Sequence, residues 1–371
     1  MRILHLLYES EGDYFGIGGV GIRAYKIYER LSDRHDITLL CRRYPGAVDG
    51  VRRGLRHIHA GRETENFTLT LLSYASGARR YVMEKGESYD IIIEEFSPAV
   101  PTFLNTYRKR PVVLQVQGCT GRQYFFKYNP LYSTTLFFLE RIRPYFYSRF
   151  IFVSDTTRRR YRLPGKADVR IIPNGVDLRD IRRSGGSDRY MLYLGRLDVH
   201  NKGLDILLKG FLHLVTQAGF DLKLVIAGDG RDRNELFKLV DALPPDVRSK
   251  LDLPGWVEDD RKYDLLQNAE FLVMPSRYES QPIVALEAAS AGIPIVASDI
   301  GELRFIGENR MGFNFKSGDP LSLADRIRHL SGSMHLRDKM GRNARTWAEG
   351  FSWDRIAGQF EEYLEEVVRR G

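Results

Sequence analysis

Short apolar runs alternate with helical patterns twice along this chain, and that alternation leaves few folds open. In the first series, strands are expected at residues 3–7, 37–40, 91–93, 112–116 and 149–153, with a clear helical pattern over 21–31. In the second, strands are expected at 191–194, 222–227, 251–254, 271–274 and 293–297. Helical patterns at 204–217, 233–243, 261–267 and 283–291 separate them. Strands that alternate with helices make βαβ units and parallel sheets. Near-continuous apolar strands imply sheets covered on both faces. The 371 residues leave room for two such domains. The break falls at residues 178–189, LRDIRRSGGSDR, which mixes glycine, serine and charge as linkers do. The expected organisation is therefore an α/β domain over 1–177, a linker over 178–189, a second α/β domain over 190–350 and a tail over 351–371. In the tail, Trp353, Ile356, Phe360, Leu364 and Val367 form one helical stripe.

Several classes drop out on composition. No apolar run reaches the ~18 residues of a membrane span. The opening MRILHLLYESEGDYFG has too short an apolar part, followed by acids, to look like a signal peptide. Cys41 and Cys119 are the only cysteines and lack metal-ligand spacing, which argues for a reducing, cytoplasmic setting and against a structural zinc or disulfide framework. The net charge of +8 is uneven. Residues 1–177 hold 28 basic and 18 acidic side chains, whereas the remainder holds 28 and 30. A basic first half suits nucleic acid, anionic lipid or a phosphorylated acceptor.

The richest stretch is residues 275–290, PSRYESQPIVALEAAS. It sets Glu279 in a loop after an apolar strand and Glu287, eight positions on, inside a helical pattern. Strand, turn and helix build the ligand crevice of an open α/β sheet at the carboxyl ends of its strands. Two carboxylates there suit a polyhydroxylated ligand, because they accept strong hydrogen bonds from hydroxyls. A solvated loop acid and an exposed helix acid fit the spacing equally well. Three loops could hold phosphate. Gly18 and Gly19 follow the first strand and open a helix, though their spacing matches neither the dinucleotide fingerprint nor the Walker loop. Arg196 and Lys202 share one loop after a strand, where a rigid donor fork and a compact charge suit a diphosphate. Gly228 and Gly230 end the next strand and permit close backbone approach to a ligand.

Taken in order, the motifs GGVGIRAYKIYERL, IIPNGVD, YLGRLDVHNKG, LVIAGDG and PSRYESQPIVALEAASAGIPIVASDIGELRFI resemble those of the retaining family-4 glycosyltransferases of GT-B architecture. The resemblance runs over nearly the whole chain and is most specific in the second half. It implies two Rossmann-like domains facing each other across a cleft, with the last helix crossing back to the N-domain. It further implies a hexosyltransferase that takes a UDP- or GDP-linked sugar as donor substrate and needs no metal and no other cofactor. Arg196 and Lys202 would bind the diphosphate and stabilise the leaving nucleotide. Glu287 would hold the ribose and Glu279 the sugar hydroxyls. The amides near Ile283 and Val284 would approach sugar or phosphate, and Gly18 and Gly19 would let the N-domain loop reach the diphosphate.

Two departures stand out. Many relatives place a histidine after the strand at 112–116, where this chain has Gln117, which hydrogen-bonds but cannot act as an ionisable base. Pro282 replaces a frequent glycine and removes one backbone N–H, which shifts any donor contact to Ile283 or Val284. On the acceptor side, residues 122–150 interleave aromatics with Arg and Lys. Bilayer contact, aromatic core packing and nucleic-acid stacking all fit that pattern. The lipid-linked acceptors of many relatives favour peripheral contact with an anionic membrane, at the inner face, over nucleic acid. The acceptor itself stays open among glycans, lipid-linked sugars and small molecules. So does a non-catalytic nucleotide-sugar-binding subunit, or a GT-B epimerase, in place of the transferase; a phosphorylase would need a pyridoxal-phosphate lysine context that the sequence lacks.

Overall fold

The computed structural model describes residues 1–9, 18–178, 189–218 and 220–371. The linker expected at 178–189 therefore lies almost wholly outside the described residues. The chain divides into two compact units, one made of Met1–Gly175 with Trp353–Gly371 and the other of Val176–Ser352.

The first unit is built on β1 (Arg2–Leu7), β2 (Asp36–Arg42), β3 (Gly50–Arg52), β4 (Leu55–Ala60), β5 (Ile91–Glu95), β6 (Val112–Val116), β7 (Arg149–Phe152) and β8 (Asp168–Ile171). They lie in the order β3-β4-β2-β1-β5-β6-β7-β8. All neighbours are parallel except β3, which turns back on β4. Leu4 of β1 sits opposite Thr38 on one side and Ile92 on the other. The order reverses direction at β1 and β5, the kind of switch point where parallel sheets open a crevice at their carboxyl ends. Sequence reading missed β3, β4 and β8. In β4 the inward positions after Leu55 are His57 and His59, so the alternation was written in histidine rather than in apolar residues. Each imidazole has a partner, His57 the Tyr25 hydroxyl at 3.0 Å and His59 the Asp49 carboxylate at 2.9 Å.

Helix Gly19–Leu31 covers this sheet and is covered in turn by the tail helix Trp353–Arg370. The tail buries Trp353, Ile356, Ala357, Phe360, Tyr363, Leu364 and Val367, the stripe legible in the sequence. Phe360 meets Tyr28 edge to face at 5.8 Å, and Arg30 pairs with Asp354 at 2.7 Å. A Cβ on Gly175 would lie 2.6 Å from the Trp353 ring, so glycine there lets the tail lie close.

The second unit carries β9 (Tyr190–Leu194), β10 (Lys223–Ala227), β11 (Leu251–Gly255), β12 (Phe271–Met274), β13 (Ile295–Ser298) and β14 (Gly312–Phe315). Their order is β11-β10-β9-β12-β13-β14, all parallel. Alternate residues feed two cores. Met191, Leu224, Phe271 and Val296 face the helix Leu204–Ala218, and Leu192, Val225, Leu272 and Ile295 face the helix Ile283–Ser290. That double burial is why the strands read as unbroken apolar runs. The strand expected at 293–297 begins only at Ile295, because Pro294 has no N–H to give a ladder. The last strand was not foreseen. Its Gly312 has no room for a side chain, since a Cβ would fall 1.8 Å from the Ile295 carbonyl oxygen.

Candidate active site

In the second unit the sheet reverses direction between β9 and β12, and the loops that follow these two strands lie side by side. The first loop carries Arg196 and Lys202, the second Glu279, and the helix after it Glu287. Lys202 Nζ lies 2.6 Å from Glu279 Oε1, and Ser276 Oγ donates to the same oxygen at 2.7 Å. Glu279 is buried and Lys202 half-buried. The Arg196 guanidinium is exposed and, among the described residues, has no carboxylate partner, while its backbone carbonyl accepts from the buried Tyr193 hydroxyl at 2.7 Å. Burial, with Glu279 and Asp198 nearby, pushes the Tyr193 pKa well up, so this hydroxyl stays a donor.

Glu287 is the fifth residue of helix Ile283–Ser290 and is buried, with Lys262 Nζ at 2.6 Å from its Oε1. Pro282 caps that helix without a side-chain hydrogen bond. Among the described residues the N–H groups of Ile283 and Val284 donate to nothing. Orphan first-turn amides at the positive end of a helix attract an anion or a sugar oxygen.

The loops are fixed by residues that sequence reading did not single out. Arg277 grips Asp205 through two nitrogens at 2.7 Å each and donates to the His200 carbonyl at 2.6 Å. Its own N–H donates to the Asn201 carbonyl at 2.8 Å. Asp198 takes the backbone and side-chain N–H of Asn201 at 2.9 and 2.6 Å. Arg277, Asp198 and Asn201 lie inside motifs already flagged for other reasons, and Asp205 lies just beyond one of them. Gly228 and Gly230 also answer to a packing need. A Cβ on Gly228 would fall 1.9 Å from the Gly195 oxygen, and one on Gly230 2.4 Å from the Leu197 oxygen. The β9 and β10 loops thus approach each other closely enough to demand glycine at both positions.

In the first unit the switch point gathers a second cluster. Glu95 ends β5, and its Oε1 accepts from Gln117 Nε2 at 3.0 Å and from Gln115 Nε2, with His5 Nε2 at 3.3 Å. Arg23, fully buried, donates to the carbonyls of Ile172 and Pro173 and to Asn174 Oδ1, which ties the IIPNGVD motif to helix Gly19–Leu31. Burial lowers its pKa to about 10, with Glu95 and Tyr28 acting the other way, so it stays charged at neutral pH. Gly18 caps that helix, and a Cβ on it would meet Glu9 Oε1 at 2.6 Å. The Glu9 carboxylate accepts from the Gly21 N–H at 2.7 Å, so the chain's own acid occupies this anion seat. Gly19 is the helix's exposed first residue.

The stretch 122–150 divides. Tyr124, Leu136, Glu140, Arg143 and Tyr147 are buried, while Leu131 (81% exposed), Phe138 (54%), Ile142, Tyr145 and Phe146 (57%) are open to solvent. Buried Glu140 accepts from the N–H groups of Thr120 and Gly121 at 2.8 and 2.7 Å. Cys119 beside it has its thiol pushed up to about 12 by burial and the Glu140 charge.

Two Rossmann-like units, each with its cluster at a switch point, define a GT-B glycosyltransferase fold. Residues 177–347 match the Glycosyl transferases group 1 family and residues 17–180 match Glycosyltransferase Family 4, and the chain belongs to this family. Sucrose-phosphate synthase from Thermosynechococcus elongatus superposes over 100% of both chains with a TM-score of 0.83 at 19% identity. The Anabaena protein Alr3699/HepE in complex with UDP-glucose superposes with a TM-score of 0.74 at 18% identity, over 99% of this chain and 100% of that one. Among curated relatives, a phosphatidyl-myo-inositol mannosyltransferase of Mycobacterium leprae is 30% identical over 60% of each chain. The chain spans about half the length of the curated relatives it matches. No helix among the described residues is long and apolar enough to cross a membrane.

Proposed function

We propose that the protein is a retaining hexosyltransferase that moves a sugar from a UDP- or GDP-linked donor to an acceptor hydroxyl. The observation that carries this reading is the Lys202–Glu279 pair, flanked by the Arg196 guanidinium and the amides of Ile283 and Val284, which have no partner among the described residues. Glu279 holds Lys202 in place until a donor diphosphate supplies a stronger anion. Arg196 and Lys202 then counter the charge that grows on the leaving nucleotide, the electrostatic contribution that dominates such transfers. Because two cations supply that charge, no metal is required for it. Glu287 accepts the ribose hydroxyls and Glu279 those of the sugar. Gln117 is no ionisable base, so the departing phosphate oxygen takes the acceptor's proton.

A thermal-shift series against UDP-, GDP- and ADP-sugars tests the donor site. One nucleotide should raise the melting temperature by mass action. Arg196→Ala with Lys202→Ala should remove the shift, and a flat response to every nucleotide would end the proposal. Transfer to a hydroxyl separates the transferase from an epimerase, which consumes donor without acceptor. Binding without transfer or hydrolysis would mark a non-catalytic subunit, the alternative that Gln117 leaves open.

The exposed Leu131, Phe138, Ile142 and Phe146 support a peripheral contact with anionic membrane, and a lipid-linked acceptor with it. Arg141 stacks 4.5 Å over Phe137 and keeps a cation beside that apolar face. Co-sedimentation with phosphatidylglycerol vesicles at low salt, lost on Leu131→Ser with Phe138→Ser, is the expected result. No sedimentation of the unaltered chain would remove the idea.

A further inference from the structure

We propose that Glu95 is the positioning residue for Gln117, holding its amide so that the side-chain carbonyl is what Gln117 offers to a ligand hydroxyl. This rests on the reading that the first unit holds the acceptor. Glutamine is ambiguous by nature, since one end of its amide donates and the other accepts. Here the ambiguity is removed. Glu95 is the last residue of β5, Gln117 follows directly after β6, and these strands are neighbours, with Glu95 opposite Gln115. Gln117 Nε2 lies 3.0 Å from Glu95 Oε1. An ionised carboxylate only accepts, so the amide must turn its N–H groups inward. The reverse orientation would set carbonyl oxygen against carboxylate oxygen. Gln117 is half-buried, and among the described residues its Oε1 accepts nothing.

The surroundings keep Glu95 in place and leave it little freedom. His5 meets it from β1, Gln115 from β6 and Gln117 just after that strand, while Arg23 and Tyr28 of helix Gly19–Leu31 and Tyr74 of helix Phe67–Lys85 lie near enough to feel its charge. The buried Arg23 charge offsets the carboxylate. Glu140 anchors the backbone just beyond, at Thr120 and Gly121, so the amide's orientation is the degree of freedom left to Glu95. The consequence is chemical selectivity. A sugar or polyol hydroxyl donates to Gln117 Oε1, whereas a phosphate oxygen at the same point meets another acceptor and is turned away. The residue thus reads a hydroxyl without exchanging a proton.

The test is a double-substitution cycle in the full chain, with nucleotide-sugar turnover as the readout. Glu95→Gln should lower kcat about tenfold with the donor KM unchanged, Gln117→Ala should do the same, and the pair together should lose no more than either. Glu95→Asp, which keeps an acceptor-only carboxylate where Gln can present either end of its amide, should recover most of the rate. Losses that multiply in the double variant would overturn the proposal, because Glu95 would then act apart from Gln117. A second measurement is independent of turnover and of whether Glu95→Gln folds. In Gln117→His the new imidazole should titrate above the ordinary value of about 6.5, because the Glu95 carboxylate stabilises its charged form. Titration at or below that value overturns the contact. If the unaltered chain turns over no nucleotide sugar, the transferase reading falls while this titration still decides the role of Glu95.

Discussion

Glu279 and Glu287 sit eight positions apart on one short segment, yet each is neutralised by a different lysine from a different element. Lys202 reaches Glu279 from the β9 loop, and Lys262 reaches Glu287 from helix Asp259–Asn268. Removing one acid therefore leaves a different cation uncovered. Glu287→Ala should weaken donor binding about tenfold, the worth of one charge-assisted hydrogen bond. Glu279→Ala frees Lys202 for the diphosphate, so donor affinity should hold while kcat drops by about a hundredfold through lost sugar placement. Calorimetry for Kd beside steady-state kcat measures both, and equal changes in Kd would sink this division of labour. The burial of both carboxylates was not visible in the sequence, where an exposed acid looks the same.

At the scale of elements, the β9 and β12 loops are one assembly held by the Arg277–Asp205 grip. Burial alone would raise the Asp205 pKa, but the Arg277 hydrogen bonds and charge reverse this and hold it below the ordinary carboxylate range. A depressed folded pKa gives stability that is present above the unfolded value of about 3.9 and lost as pH falls through the folded one. Asp205→Asn should therefore cost about 1–3 kcal/mol near neutrality, as for hydrogen bonds between charged groups. The difference in melting temperature from the unaltered chain should shrink as pH drops below about 4. A gap that stays constant through this acid range would show that the charge of Asp205 is irrelevant. Lys202 lies three residues before Asp205 in the chain, so the variant should lose donor affinity as well.

At the scale of the whole molecule, the two units are unequal in how they are cut from the chain. The second is one continuous piece, Val176–Ser352, with both faces of its sheet covered by its own helices. The first needs the last segment of the chain, because Tyr28 and its helix are covered by Phe360 and the tail. The fragment 176–352 should fold alone and keep nucleotide affinity within about tenfold of the full chain, since Arg196, Lys202, Glu279, Ile283, Val284 and Glu287 all lie in it. The fragment 1–175 should aggregate, with an apolar helix face left bare. A soluble, cooperatively melting 1–175 would refute the structural role given to the tail.

The alternation of apolar strands and helices settled the fold class from the sequence, because burying both faces of a parallel sheet leaves an unbroken apolar run in every inner strand. The tail stripe was legible for the same reason, as apolar spacing at helical period. The histidine-lined strand β4 and the glycine-led β14 escaped, since their inward positions carry no run of apolar residues. Motif order placed Arg196 and Lys202 on one loop, Glu279 on another and Glu287 in the helix after it. Partnership was decided only in three dimensions. Lys202 and Glu279 are 77 positions apart in the chain, Gln117 and Glu95 are 22, and Gly228 must be small to clear Gly195. Such contacts depend on which strands become neighbours at a switch point. Local periodicity determines that a strand exists, while the order of strands in the sheet determines whom its last residue meets.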